Sequence, residues 1–249
     1  MKSMLKTTLT TLALCASTVA SAATINLTGT LRDMDVAHPD FQNWCCGQVD
    51  GLVKPTLGAD GTPVYNGGSA LTNAANFADW FGSGTNYVLG EKSLTLTLDN
   101  TISGNPNVYT YINDNFFPLD GELGGNQGYS HNYHFTFRLN TMFTYQGGET
   151  FTFTGDDDVW VFINDQLVID LGGVHGALSE TVNLDSLGLT AGNDYSFHLF
   201  FAERHTSASS FRIDTSIKLK PNEVPEPSTL LLLGMGLLGL GVARRKMQA

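Results

Sequence analysis

Apolar and polar residues alternate with a period of two through most of this chain, and the alternation limits it to β structure. Successive side chains of a strand point to opposite faces, so the pattern indicates half-buried strands with one apolar face and one wet face. The alternating segments are Leu94–Leu98, Tyr133–Leu139, Phe151–Phe153 and Phe211–Leu219, and two segments that are apolar on both faces are Val159–Ile163 and Tyr195–Ala202. The pattern predicts an all-β fold, a single-domain antiparallel β-sandwich of the jelly-roll type.

Turn signals separate the strands. Asn164-Asp165 lies between two strand-like runs and has the spacing of a two-residue hairpin loop. The stretch from Asp33 to Ser130 is rich in Gly, Asn and Asp and is expected to wrap the sandwich, with one short helix at Leu71–Trp80. The strand near Thr24–Leu31 is expected to pair close to the C-terminal strand Phe211–Leu219.

The N-terminal end has the features of a secretory signal peptide. Two lysines precede an apolar run at Thr7–Val19, and Ala20-Ser21-Ala22 has the form of a signal-peptidase site. Cleavage after Ala22 is predicted, so residues 1–22 are the signal peptide and the folded domain covers residues 23–220.

The C-terminal end, residues 221–249, combines three features in a fixed order. Val224-Pro225-Glu226-Pro227-Ser228 is followed by an apolar run at 230–243 and by the basic end 244–246. Fourteen apolar residues fall short of the roughly 20 that span a bilayer comfortably, and flanking arginines favour the cytoplasmic side. An ordinary C-terminal membrane anchor is the alternative.

This tail resembles the PEP-CTERM sorting signal. The resemblance implies that an exosortase-type membrane protease processes the chain near Pro225, Glu226 and Pro227. It also implies a precursor held transiently in the inner membrane by the hydrophobic helix. The mature protein is then expected at the cell surface or in the extracellular matrix of a biofilm.

Composition narrows the class of partner. The chain has 13 basic and 24 acidic residues, for a net charge of −11, and the predicted processing removes five basic residues but only one acidic one. Nucleic acid is therefore not expected as a partner, because binding phosphates requires clustered cations. The six histidines show no zinc spacing and the chain has no Gly-x-Ser-x-Gly motif, so an enzyme is not predicted.

Cys45 and Cys46 are neighbours and survive the predicted processing. Their Cα atoms lie ~3.8 Å apart across a trans peptide, which is shorter than the separation usual for disulfides. A strained ring between them, a link to another chain and two reduced thiols remain open.

Nearly all of the predicted mature chain resembles the fibro-slime domain family, a relative of the lectin-like β-sandwich domain named after protective antigen. The segments that carry the resemblance are Phe151–Asn164, Leu167–His175, Leu187–Thr190 and Phe200–Ile213. The resemblance implies a β-sandwich and is far less informative about function.

Gly155-Asp156-Asp157-Asp158 is the strongest chemical feature. Three consecutive carboxylates repel one another unless a cation or several donors offset them, and a set of oxygen ligands on a loop suits Ca²⁺. A solvated turn held by Asx hydrogen bonds is the alternative. The resemblance to protective-antigen-type lectins implies that Asp156 and Asp157 are joined by a cis peptide and bind calcium, while a sugar completes the shell. Asp158 replaces the small residue usual there and is a candidate sugar contact.

Glu203, Arg204 and His205 follow a strand that is apolar on both faces. Glu203 is a candidate third calcium ligand, and Arg204 and His205 are candidate sugar contacts. A structural ion pair between Glu203 and Arg204 is the preferred alternative.

Two functions fit these features. One is a calcium-dependent carbohydrate-binding module that contacts matrix polysaccharide. The other is a structural matrix or adhesin domain, in which the acidic turn only stabilises the fold.

Overall fold

The computed structural model describes residues 22–42 and 47–221 of the chain. Outside them lie most of the predicted signal peptide, Cys45 and Cys46, the processing residues Pro225, Glu226 and Pro227, the hydrophobic run 230–243 and the basic end 244–246. Within the described residues, no helix is both long enough and apolar enough to span a membrane.

The described residues form ten strands, one α-helix and one short 3₁₀ helix. The elements are β1 (Thr24–Met34), α1 (Ala74–Phe81), β2 (Val88–Asp99), β3 (Tyr109–Asn113), β4 (Phe135–Thr144), β5 (Thr150–Asp156), β6 (Asp158–Ile163), β7 (Gln166–Leu171), β8 (Leu178–Asn183), the 3₁₀ helix (Leu184–Leu187), β9 (Asp194–Glu203) and β10 (Ser210–Thr215). Every strand pairing is antiparallel. The predicted all-β antiparallel fold is confirmed.

The strands form one continuous sheet in the order β7-β6-β9-β4-β1-β2-β3-β10-β5-β8. A single residue pair, Asp99 with Thr110, joins β2 to β3. This narrow junction divides the sheet into a larger half (β7-β6-β9-β4-β1-β2) and a smaller half (β3-β10-β5-β8). At the two outer edges, the amide of Asp170 on β7 donates to Glu180 on β8 at 3.2 Å, so the sheet nearly closes on itself.

The two halves face each other across an inner core. Phe201 of the larger half lies 5.1 Å, ring to ring, from Phe211 of the smaller half, and Phe151 lies 4.9 Å from Phe197. These side chains come from the alternating positions of their strands. The sandwich is therefore a single sheet folded over its own apolar face.

A second, outer core covers the other face of the larger half. The cover segment, residues 35–42 and 47–87, contributes Phe41, Phe77 and Trp80, which pack against Trp160 and Phe200 of the sheet. The prediction that residues 33–130 wrap the sandwich is confirmed for the cover segment, whereas β2 and β3 in the same region lie within the sheet. The predicted helix is confirmed as well, shifted to Ala74–Phe81.

Local chemistry explains the ends of α1. The Asn73 side chain accepts from the Asn76 amide at 2.9 Å and caps the N-terminus, and the Gly82 amide donates to Ala78 O at 3.2 Å after the last turn. The β6–β7 hairpin is confirmed at Asn164-Asp165, where both residues adopt positive φ angles of 51° and 60°, as a type I′ turn requires.

The predicted proximity of the first and last strands is wrong. β1 pairs with β2 and β4, whereas β10 pairs with β3 and β5. The last strand is also shorter than predicted and ends at Thr215. The period-two pattern specifies which side chains face the core, but not which strand becomes the neighbour.

Candidate ligand-binding site at the acidic turn

The acidic turn, Asp156 to Asp158, is where the chain crosses from one half of the sheet to the other. Asp156 ends β5 of the smaller half and Asp158 begins β6 of the larger half. The peptide between Asp156 and Asp157 is cis, as the resemblance implied. All three side chains are buried, with exposed fractions of 6%, 4% and 0%.

Main-chain amides from three other segments bind this turn. Asp156 Oδ1 accepts from the Ser210 amide at 2.5 Å. Asp157 accepts from His175 N at 3.2 Å and from Arg204 N at 3.0 Å, one bond to each carboxylate oxygen. The turn is therefore fixed in place by the loops that surround it.

Burial dominates the electrostatics of the turn. It raises the pKa of Asp157 to about 7, helped by repulsion from Asp158 and opposed by the Arg204 guanidinium. Burial also raises the pKa of Asp156. The hydrogen bonds and nearby positive charge at these two carboxyl groups do not outweigh burial, so both pKa values stay above the ordinary range.

Glu203, the last residue of β9, completes the acidic group. Burial raises its pKa well above the usual range, and repulsion from Asp157 and Asp156 adds to the effect. Its Oε1 accepts from the His205 amide at 3.3 Å. The Ser209 hydroxyl is close enough to lower the pKa of Glu203 but is not in hydrogen-bonding geometry, and Glu203 Oε2 has no partner among the described residues.

The preferred ion pair between Glu203 and Arg204 is wrong. Arg204 instead pairs with Asp158, at 2.5 Å from Nε to Oδ2 and 3.3 Å from Nη2 to Oδ1. Consecutive residues of an extended chain point to opposite faces, so Glu203 and Arg204 diverge.

The Asp158–Arg204 pair is almost completely buried, with side-chain exposures of 0% and 1%. Arg204 Nη1 donates to the carbonyls of Asp40 and Ala70 at 3.1 Å each, and its guanidinium lies 5.1 Å from the Trp80 ring centroid. These contacts fasten the cover segment to the acidic turn. The structure thus gives two of the three predicted sugar contacts, Asp158 and Arg204, protein partners, whereas His205 is half-buried beside them.

The donor set of the site consists of oxygen atoms, the type that Ca²⁺ prefers. Asp156 and Asp157 are close enough to Glu203 to raise its pKa by repulsion. However, no group of three or more His, Cys, Asp or Glu side chains within residues 22–42 and 47–221 is arranged to hold a metal ion. A cation here would need further oxygens from main-chain carbonyls or from a ligand.

Sequence reasoning missed the main-chain contribution of the loop after β7. Gly173 N donates to Asp158 Oδ1 at 2.6 Å and His175 N donates to Asp157. Gly172-Gly173 by itself indicates a flexible loop. Its approach to the acidic turn follows only from the β6–β7 hairpin, which returns the chain to the start of β6.

Comparison with known proteins identifies the family. A model of the PA14 domain matches residues 100–229, just over half of the chain. The chain belongs to the PA14 domain family. A model of the PEP-CTERM protein-sorting motif matches residues 223–246, and this motif implies an exported protein anchored at the cell surface. The resemblance to the domain named after protective antigen and the resemblance to the PEP-CTERM sorting signal are confirmed. Membership of the fibro-slime family stays a prediction.

Proteins of Dictyostelium discoideum are similar over most of this domain. Protein psiQ is 42% identical over 220 residues, which cover 81% of this chain and 22% of psiQ. Protein psiD is 42% identical over 215 residues, which cover 78% of this chain and 41% of psiD. The chain spans less than half the length of these relatives.

Among solved structures, the A domain of epithelial adhesin 9 from Candida glabrata, in complex with Galb1-4GlcNAc, covers 85% of this chain and 96% of its own. Its sequence identity is 12% and its TM-score is 0.37. At this level of similarity no binding residue is transferred.

Proposed function

We propose that this PA14 domain is a carbohydrate-binding module of a cell-surface or matrix protein, and that it binds a glycan through Ca²⁺ at Asp156 and Asp157. The observation that carries the proposal is the unpartnered Oε2 of fully buried Glu203 beside two further buried carboxyl groups. Buried polar atoms in native proteins are nearly always paired. An ion or ligand oxygen at this place would supply the missing partner.

A calcium ion takes roughly six to eight oxygen ligands. Asp156 and Asp157 would hold the ion, Glu203 would face it from the end of β9, and main-chain carbonyls and sugar hydroxyls would supply the rest. When bound, the ion would offset the repulsion from Asp156 and Asp157 that raises the pKa of Glu203, and it would offer coordination positions to vicinal hydroxyls. The proposed activity is binding, without catalysis.

A purely structural role of the turn is the second candidate, and one observation favours it. All three aspartates already accept main-chain hydrogen bonds, from Ser210, from His175 and Arg204, and from Gly173. These bonds join segments from both halves of the sheet. The turn would then stabilise a matrix or adhesin domain without any glycan.

Calcium and glycan titrations distinguish the two candidates. Glycan-array binding is measured with calcium and with chelator, and melting temperature is measured under both conditions. Glycan binding that is lost in chelator supports the lectin. A calcium-dependent rise in melting temperature without glycan binding supports the structural role, and no response to calcium overturns the calcium site.

Asp157→Asn tests the assigned pair. It is expected to weaken calcium binding about tenfold or more, equivalent to about 1.4 kcal/mol, and to reduce the rise in melting temperature that calcium produces. Glu203→Gln keeps the shape and is expected to act in the same direction. The control is Asp165→Asn in the β6–β7 turn, where the side chain is 65% exposed; a parent-like response of Asp157→Asn would contradict the assignment.

A further inference from the structure

A cavity of about 310 Å³ opens on the outer face of the larger half, at the border of the cover segment. Thr30, Arg138 and Trp80 form its floor and walls, and Asp60, Ser83 and Glu91 surround it. A second cavity of about 220 Å³ adjoins it and shares Asp60 and Ser83. Together they make one groove, which is similar in volume to small-molecule sites.

This groove is separate from the acidic turn. Arg138 pairs with Phe200 on β9, and Phe200 belongs to the outer core. Phe201 belongs to the inner core, so Glu203, two residues further, lies on the inner-core side of the strand. Glu203 therefore lies on the opposite face of the larger half from the groove. No residue of the acidic turn lines the cavity, although the Asp158–Arg204 pair reaches the covered side of Trp80.

One donor group at the groove is incompletely used, and it belongs to Arg138. Trp80 is fully buried and its indole Nε1 is covered by protein atoms, so it shapes the groove without offering an exposed donor. Arg138 Nη1 donates to Phe81 O at 3.2 Å, which uses one of the five N–H groups of its guanidinium. Arg32 also lines the groove. It is held by Glu91 and by main-chain carbonyls, so the wall that Arg32 forms is rigid.

A ladder of short polar side chains on β1 and β2 leads into the groove. Asn26 accepts from Thr97 at 2.9 Å, and the hydroxyls of Thr28 and Thr95 lie 2.8 Å apart. Thr30, the next outward residue of β1, lines the cavity. From Asn26 to Thr30 the ladder covers ~13 Å of strand.

Charge selects the class of ligand. The groove combines two guanidinium groups, Arg32 and Arg138, with two carboxylates, Asp60 and Glu91, and the ladder is uncharged. Hydroxyl groups both donate and accept, so a hydroxyl-rich chain matches this mixture. A polyanion would meet the two carboxylates and a chain of net charge −11.

We propose that the groove and ladder form a second, calcium-independent binding site for an extended neutral polysaccharide. The polysaccharide lies along the β1–β2 ladder and enters the groove beside Arg138 and Trp80. This site goes beyond the proposed function because it uses neither the ion nor the acidic turn.

Affinity electrophoresis of the full chain tests the site. Each gel contains chelator and one neutral polysaccharide, which is hydroxyethyl cellulose, galactomannan or dextran. At least one of these polysaccharides is expected to retard the parent protein. Ser83→Trp, at an exposed position of the groove wall, is expected to abolish the retardation. Unchanged retardation of this variant, or no retardation of the parent by any of the three, overturns the proposal.

A matched pair of double variants tests the ladder. Thr28→Val with Thr95→Val removes two hydroxyls but keeps β-branched side chains, and is expected to weaken the association about tenfold. Thr152→Val with Thr181→Val is the control, since these hydroxyls also lie 2.8 Å apart across two strands, on the smaller half. Equal losses in the two pairs would refute the ladder.

The two binding proposals fail separately. Asp157→Asn is expected to leave retardation in chelator unchanged. If calcium-dependent glycan binding is absent while retardation in chelator survives, the proposed function fails and the second site stands. If calcium-dependent glycan binding is present while retardation in chelator is absent, only the second site is refuted.

Discussion

The buried pair between Asp158 and Arg204 permits a quantitative prediction about stability. Arg204→Met keeps an apolar stem of similar length but removes both bonds to Asp158, the bonds to the Asp40 and Ala70 carbonyls, and the contact with the Trp80 ring. Asp158, with 0% exposure, would keep only the Gly173 amide as a donor. A buried carboxylate without a countercharge is strongly destabilising.

Breaking one partner of a buried pair costs about 3–5 kcal/mol. For a domain of this size each kcal/mol lowers the melting temperature by about 2–4 °C, so the expected decrease is about 6–20 °C. Urea unfolding in chelator, followed by tryptophan fluorescence, gives the free energy of unfolding. Two of the three tryptophans, Trp80 and Trp160, lie in the outer core, so their signal reports the region that Arg204 holds.

A double-mutant cycle with Asp158→Asn isolates the pair. Neutralising Asp158 removes the uncompensated charge, so the double variant is expected to lose about 1–3 kcal/mol less than the sum of the two single variants. Additive losses would refute the reasoning.

Arg212 on β10 provides the control. It also places Nε 2.5 Å from a carboxylate, that of Asp214, but the side chains are 40% and 21% exposed. Arg212→Met is expected to cost no more than about 1 kcal/mol. If the two arginine variants lose equal stability, burial does not set the strength of the pair.

Two further predictions concern pH and packing. Burial, together with the nearby His205, lowers the pKa of His134 to about 4. The folded state therefore binds a proton less readily than the unfolded state, in which the pKa is ~6.5. The free energy of unfolding is therefore expected to be largest above pH ~6.5 and to decrease as the pH falls towards 4. His134→Gln is expected to flatten this part of the stability–pH curve measured by urea unfolding, and a slope identical to that of the parent would contradict it. Gly29→Ala would bring a Cβ to 2.5 Å from the Phe137 ring and 2.6 Å from Arg138 O, with an expected cost of about 1–3 kcal/mol. Gly176→Ala, which meets nothing within 4 Å, is expected to leave the melting temperature unchanged, and similar melting temperatures for the two variants would refute the packing argument.

The candidate site shows where sequence reasoning stops. Asp156 and Asp157 stood out as adjacent carboxylates in a motif with a known family resemblance, and the structure places them side by side at a buried turn. Arg204 was assigned the wrong partner because Glu203 adjoins it in sequence. Asp158, 46 residues away, becomes its partner only when β6 pairs with β9.

The sequence by itself determined the β class, the faces of the strands, the Asn164-Asp165 hairpin and the sorting motif at the C-terminus. Each of these is local, since a period-two pattern, a two-residue loop or a contiguous motif carries its own physical cause. The tertiary structure alone decided the order of the strands, the separation of β1 from β10, the burial of the Asp158–Arg204 pair and the groove between the cover segment and the β1–β2 ladder. These features depend on contacts between residues far apart in the chain, and such contacts follow from how the whole apolar surface is buried and not from any single segment.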